Sequence, residues 1–127
     1  MKKLTLEKRI SLAIHSNDPD VLERLCKDRS KTVLFFLAKN TSCNEVCFQE
    51  LLKRGDQMIL FCMAGNPSTP INVLNKLANK NTELGCEVLR NRNINYEMVK
   101  KLTKSRFVPV REAAKYNLKY WNKRKSI

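Results

Sequence analysis

Phe61-Cys-Met-Ala-Gly-Asn-Pro-Ser-Thr-Pro-Ile-Asn-Val-Leu-Asn-Lys-Leu-Ala-Asn-Lys80 sets two short apolar bursts on either side of a turn. Gly65 suits the close of one helix, Ser68 or Thr69 the N-cap of the next, and Pro70 its first turn. The second burst, Val73, Leu74 and Leu77, falls at i, i+1 and i+4, one stripe of an α-helix. Outward from Leu77, the same register returns at Leu51 and Leu25 on one side and Leu102 on the other, at intervals of 26, 26 and 25 residues. Three residues ahead of these stand Leu22, Phe48, Leu74 and Val99, and one further ahead Val21, Cys47, Val73 and Met98. A second block keeps the phase: Phe36, Cys62, Val88 and Ala113, each followed by Leu37, Met63, Leu89 or Ala114.

Each period therefore predicts two short helices, apolar on one side and too short to persist alone, which must stack on neighbouring copies. Helices are expected near 5–15, 19–28, 31–38, 44–54, 57–64, 70–80, 83–90, 95–104 and 108–121. In the last, Pro109 sits in the first turn, and Val110, Ala113, Ala114, Asn117, Leu118 and Trp121 form a face that would close the stack. The expected fold is all-α: an α-solenoid of about four two-helix repeats with a C-terminal capping helix. Residues 1–121 would make one helical-repeat domain and residues 122–127 a basic tail.

Composition agrees. At 127 residues the chain has the size of one domain, and 43% apolar with 29% charged residues excludes a disordered or collagen-like polymer. No apolar run reaches the ~18 residues of a membrane span, and charged residues interrupt the start where a secretory signal would be apolar. Five cysteines, an odd number without a CxxC pair, point away from a disulfide framework and toward a reducing, cytoplasmic setting.

The stretch 61–80 resembles the leucine-rich repeat variant family, whose repeat carries an Ala-x-Asn-Pro-x-Thr-Pro turn followed by a Leu-x-x-Leu-Ala helix. The other copies keep the Leu columns and lose the prolines, so the resemblance covers about residues 15–117 at falling quality. It implies a right-handed superhelix of alternating short helices, related to HEAT and armadillo stacks. Some members of that family carry an iron–sulfur cluster on a Cys-rich segment ahead of the repeats, and this sequence has no such segment.

Little points to catalysis. Cys43-x-x-x-Cys47 resembles half of a metal or cluster site. The repeat columns instead align Cys47 with Val21, Val73 and Met98, Cys62 with Phe36, Val88 and Ala113, Cys86 with Leu34, Leu60 and Arg111, and Cys26 with Leu52, Ala78 and Thr103. These are small apolar substitutes, as buried free cysteines generally are. Cys43 alone falls in a mixed column, with Asn17, Thr69 and Ile94. His15 is the sole histidine and has no nucleophile in its vicinity, Asp18 and Asp20 suit a helix start, and no two of the three glycines are close enough for a phosphate loop. The expectation is a non-enzyme with neither metal nor cofactor. HEAT-like stacks include enzymes that excise alkylated bases, but those are longer and need an aromatic-lined cleft.

Charge carries the functional signal. The net charge is +13, divided as +3 over residues 1–38, zero over 39–89 and +10 over 90–127. The C-terminal cations are interleaved with Tyr96, Phe107, Tyr116, Tyr120 and Trp121, a mixture suited to phosphates and splayed bases. On the Leu-column helices, Arg24, Glu50, Lys76 and Lys101 form one column, and Lys27, Lys53, Asn79 and Lys104 a second three residues on, turned away from the apolar stripe. Stacking would align them as a ladder with Arg54, Lys80 and Lys100 at its margins, interrupted by Glu50 and Asn79. The predicted partner is nucleic acid, DNA before RNA, held by Arg24, Lys27, Lys53, Arg54, Lys76, Lys80, Lys100, Lys101, Lys104, Arg106, Arg111, Lys115 and Lys119. The alternative is a protein-interaction scaffold for an acidic partner; attraction of the segment Lys119–Lys125 to anionic lipid is a third, weaker reading.

Overall fold

A computed structural model describes residues 3–125 of the chain, and these form ten helices with no strand. They are α1 (Leu6–His15), α2 (Pro19–Leu25), α3 (Lys31–Leu37), α4 (Glu45–Arg54), α5 (Gln57–Gly65), α6 (Ile71–Ala78), α7 (Thr82–Leu89), α8 (Tyr96–Leu102), α9 (Val108–Lys119) and α10 (Trp121–Lys125). The chain is all-α, and no helix among the described residues is long and apolar enough to cross a membrane.

Side-chain caps start most of these helices. Thr5, Ser30, Asp56 and Asn81 accept the N–H groups of Lys8, Val33, Ile59 and Leu84, and Asp18, Asn44 and Asn95 accept those of Asp20, Cys47 and Met98. The stretch 61–80 departs from its expected caps. Pro70 itself precedes α6, which has no side-chain cap, while the Ser68 and Thr69 hydroxyls donate to the carbonyls of Thr41 and Met63. Gly65 ends α5 without a left-handed turn, and no described glycine has positive φ.

Helices α2, α6 and α8 end earlier than their patterns predict because the last turn tightens, in α8 through the Thr103 and Lys104 N–H groups on the Lys100 and Lys101 carbonyls. Lys27 and Asp28 bond to carbonyls three residues back after α2, and Lys80 does the same after α6. The expected helix 108–121 is broken at Tyr120 (φ −109°, ψ 23°), which separates α9 from α10. Trp121 beyond the break meets Tyr96 edge-on, with ring centroids 5.9 Å apart. Helix α10 takes up much of the expected tail 122–127, whose last two residues lie outside the described part of the chain.

Packing follows the sequence period. Helices α1, α3, α5, α7 and α9 each touch the next in that series, α2 touches α4 and α4 touches α6, and α8 lies against α9. Leu25, Leu51, Leu77 and Leu102 belong to one buried core, as do Leu22, Phe48, Leu74 and Val99 and the second-block residues Leu37, Met63, Leu89 and Ala114. Gly85 sets the approach of α9 to α7: a Cβ there would lie 2.6 Å from Val110 Cγ2 and 3.1 Å from the Ala78 carbonyl oxygen.

The turns are tied by a column of buried asparagines. Asn66 Nδ2 donates to the carbonyls of Ala38 (2.9 Å) and Asn40 (3.0 Å), while its Oδ1 accepts the N–H of Ser68. Asn91 makes the same three bonds to Ala64, Asn66 and Asn93, and Asn40 to Ala13, Ser16 and Ser42. Each carboxamide thus uses both donors and its acceptor, and joins its own turn to the turn one period earlier. On the opposite edge the Arg9 guanidinium pairs with Asp28 at 2.7 Å. Burial raises the Asp28 carboxyl, but the Ser30 N–H, the Arg9 hydrogen bond and the Arg9 charge outweigh it and hold the group below its ordinary range.

Asn66→Ala should remove the three bonds that join this turn, leaving the buried Ala38 carbonyl and the part-buried Ser68 N–H without that partner, and cost roughly 2–4 kcal/mol in urea unfolding, against under about 0.5 kcal/mol for exposed Asn72→Ala. Because Asp28 has a depressed folded pKa, its contribution is complete above the ordinary carboxylate value of 3.8 and is lost as pH falls through the folded value. Thermal unfolding between pH 6 and about pH 2.5 should show a smaller acid-induced loss for Asp28→Asn than for the unaltered protein.

Candidate nucleic-acid interface

The predicted cations are divided by their surroundings. Arg24, Lys27, Lys53, Lys76, Lys80, Lys100, Lys101 and Lys104 are exposed on α2, α4, α6 and α8 or just beyond them. Helix α2 touches α4 and α4 touches α6, the helices that carry or immediately precede the first three members of each ladder column. Glu50 interrupts that alignment chemically as well as in sequence. It reaches Lys53 at 3.8 Å and, with Asp20, Glu23, Arg24, Lys27 and Val46, lines an open groove of about 280 Å³ between α2 and α4. Three carboxylates against two cations leave this groove no surplus of positive charge.

The C-terminal end differs. Among the described residues, Lys100, Lys101 and Lys104 make no ion pair. Lys115 and Lys119 are exposed on α9, where Lys115 reaches Glu112 at 3.4 Å and Lys119 Nζ lies 5.6 Å from the centroid of the Tyr120 ring. Glu97 and Glu112 are the only acidic residues after residue 89. Surplus positive charge is therefore concentrated in residues 90–127, where twelve basic residues face two acidic ones.

Three of the predicted arginines are engaged with the backbone. Arg54 donates to the Cys26 carbonyl at 2.5 Å and the Asp28 carbonyl at 2.8 Å, and Arg106 to the Asn79 carbonyl at 3.1 Å. Both reach back about one period and brace the turn that follows a Leu-column helix. Arg111 donates to the Ser105 carbonyl at 3.1 Å and is half-buried. A guanidinium held this way has fewer N–H groups for a phosphate, so the surface that remains for an anion is mostly lysine.

The thiols form a second constellation. Cys26, Cys43 and Cys47 are all buried, with Cys47 within hydrogen-bonding reach of the other two. Burial and the neighbouring Cys47 push the Cys26 thiol up to about 12. Cys43 is pushed up by its hydrogen bond with Cys47 and by burial, whereas that same bond holds Cys47 below the usual thiol value. Cys43 Sγ donates to the Leu37 carbonyl just as Thr69 Oγ1 donates to Met63, which accounts for the mixed column that Cys43 shares with Thr69. No group of three or more His, Cys, Asp or Glu side chains among the described residues is arranged to hold a metal ion.

Charge and periodicity did not single out the asparagine column, although Asn40, Asn66 and Asn91 recur at intervals of 26 and 25 residues with Ser42, Ser68 and Asn93 two places on. The contrast between exposed lysines and tethered arginines depends on carbonyls one period away and has no counterpart in local sequence. No family model, curated protein or solved structure matches this chain.

In the folded protein, the half-buried Cys62 and Cys86 should react with an aromatic disulfide reagent ahead of Cys26, Cys43 and Cys47. Mass mapping of the labelled thiols checks this order, and early labelling of Cys47 would contradict a closed cluster.

Proposed function

We propose that this chain is a non-enzymatic, cytoplasmic nucleic-acid-binding protein that contacts the phosphate backbone through a basic face with low sequence specificity, DNA before RNA. Its helices are read as a right-handed α-solenoid of about four two-helix repeats of 25–26 residues, akin to the leucine-rich repeat variant family, with α9 as the closing helix. The alternation of helix contacts and the period of the asparagine column support that architecture.

The observation that carries the function is the surplus of ten positive charges in residues 90–127, with Lys100, Lys101 and Lys104 exposed on and after α8. Lys115 and Lys119 extend this surface along α9. Phosphates meet such a surface through counterion release, which is independent of base identity. Lysine ammonium groups, as mobile point charges, suit contact without a fixed register.

A scaffold for an acidic protein is the second reading. It is favoured by the balanced charge of residues 39–89 and by the mixed groove between α2 and α4, since a surface devoted to nucleic acid alone would carry cations along its whole length. A partner whose capture survives nuclease digestion and is lost on removing the α8 lysines supports this reading over the first.

Five phosphate contacts, from Lys100, Lys101, Lys104, Lys115 and Lys119, should give a slope of roughly −4.5 in log K against log salt on duplex DNA. Replacing Lys100, Lys101 and Lys104 together with Ala should weaken binding to unrelated sequences alike and bring the slope up by about 2 to 3. Fluorescence anisotropy at several salt concentrations measures both, and a slope near zero removes phosphate contact as the mechanism.

A further inference from the structure

Among the described residues, three of the four exposed aromatic rings lie where the charge does, the fourth being Phe61 on α5. Tyr116 is 67%, Tyr96 44% and Tyr120 42% exposed, and all three belong to α8, α9 or the residue that ends α9. Tyr116 and Tyr120 form a tilted pair with ring centroids 4.7 Å apart and planes inclined at 47°. Tyr96 meets Trp121 edge-on, leaving much of its ring accessible. On α9 the spacing of Glu112, Lys115, Tyr116, Lys119 and Tyr120 places them on one helical face, opposite the face that buries Val110 and Ala114. Two of these tyrosines have a lysine about one turn away, Lys100 for Tyr96 and Lys119 for Tyr116, and Lys119 also directly precedes Tyr120.

Aromatic surface beside cations suits unpaired bases joined by phosphates. In a duplex the base faces are already stacked on one another and unavailable to a side chain. The lysines alone do not distinguish the two forms of nucleic acid; the rings do.

We propose that the outer face of α9, with Tyr116 and Tyr120, and the adjoining Tyr96 on α8 form a stacking site for single-stranded nucleic acid. This rests on the phosphate-binding reading above and narrows it to unpaired strands. Tyr116 supplies the stacking face and Tyr120 supports it from the side. Lys119, whose ammonium lies over the Tyr120 ring, meets the phosphate of the stacked nucleotide, and Tyr96 with Lys100 takes a neighbouring nucleotide. Because every base has a π face, the site discriminates strand state and not sequence.

The test uses the full chain with labelled oligothymidine, oligouridine and a mixed-sequence duplex, each of about twelve nucleotides or base pairs, a length within the reach of one such module. Binding to a single strand should exceed binding to the duplex, and Tyr116→Ala with Tyr120→Ala should weaken the single strand roughly ten-fold or more. Duplex affinity and both salt slopes should hardly change, and Tyr116→Phe should bind as the unaltered protein does. Circular dichroism guards against loss of fold. If the two Tyr→Ala changes weaken strand and duplex equally, or neither, or if the duplex binds as well as the strand from the outset, the stacking site is overturned while phosphate contact stands. If no oligonucleotide binds in a salt-dependent way, both readings fall. Sedimentation that shows a dimer dissolved by the same variants would assign the rings to a second copy of the chain and overturn the stacking site. Comparable effects on oligothymidine and oligouridine are expected, since stacking does not involve the 2′-hydroxyl.

Discussion

A carboxamide can be buried only where both of its N–H groups and its oxygen find partners, because each one left bare costs nearly as much as a lost hydrogen bond. Asn40, Asn66 and Asn91 meet that condition in the same way, with two bonds to carbonyls of the preceding turn and one from the N–H two residues ahead. Short helices such as α3 and α8, seven residues each, do not persist on intrinsic propensity. The leucine core drives their association without specifying how far one copy is displaced against the next. The asparagines supply that displacement, since a shift of one residue would part six buried N–H donors from the carbonyls one period back, while each Oδ1 kept its partner in its own turn.

The two edges of the molecule solve the same problem with different chemistry. On one edge the asparagines are enclosed and neutral. On the other, Arg54 and Arg106 reach carbonyls of the turn one period back, and Arg9 reaches the Asp28 carboxylate. Arginine suits that edge because its long stem lies along the apolar surface while its planar head remains half in water. Lysine lacks the fork, and the lysines are left at the surface, where they build the field that a polyanion would meet. Arg54, Arg106 and Arg111 thus support the fold through backbone carbonyls, as Lys31 does at the Arg54 carbonyl, whereas Lys100, Lys101 and Lys104 are left in water.

Much of the fold was legible because the period repeats the same physical requirement. Leu25, Leu51, Leu77 and Leu102 declare one interior, and the caps at Ser30, Asp56 and Asn81 fall between the apolar bursts where helices must start. The break at Tyr120 was not legible, since residues 108–121 read as continuous helix and the contact of Trp121 with Tyr96 joins residues 25 apart. The candidate site was only half legible. Net charge located the cationic end, but Arg54, Arg106 and Arg111 look no different in sequence from any exposed arginine. Their carbonyl partners became apparent only in three dimensions. Cys43 is the converse case: its column looked inconsistent until the thiol proved to make the bond that Thr69 makes with a hydroxyl.

The asparagine column also limits how such a chain can lengthen. Asn91 donates to the carbonyl of Asn66, and Asn66 donates to that of Asn40, so Asn40 and Asn66 are each both a donor to the turn behind and a neighbour of the acceptor for the turn ahead. Duplicating or excising a whole segment of 25 or 26 residues would return every amide to an equivalent carbonyl. Inserting a single residue within a helix between two asparagines would orphan those contacts, because it rotates the amide away from its carbonyls by about 100°. Growth by recombination at this spacing is thus structurally silent, whereas growth by small insertions is confined to the outward rims of the turns.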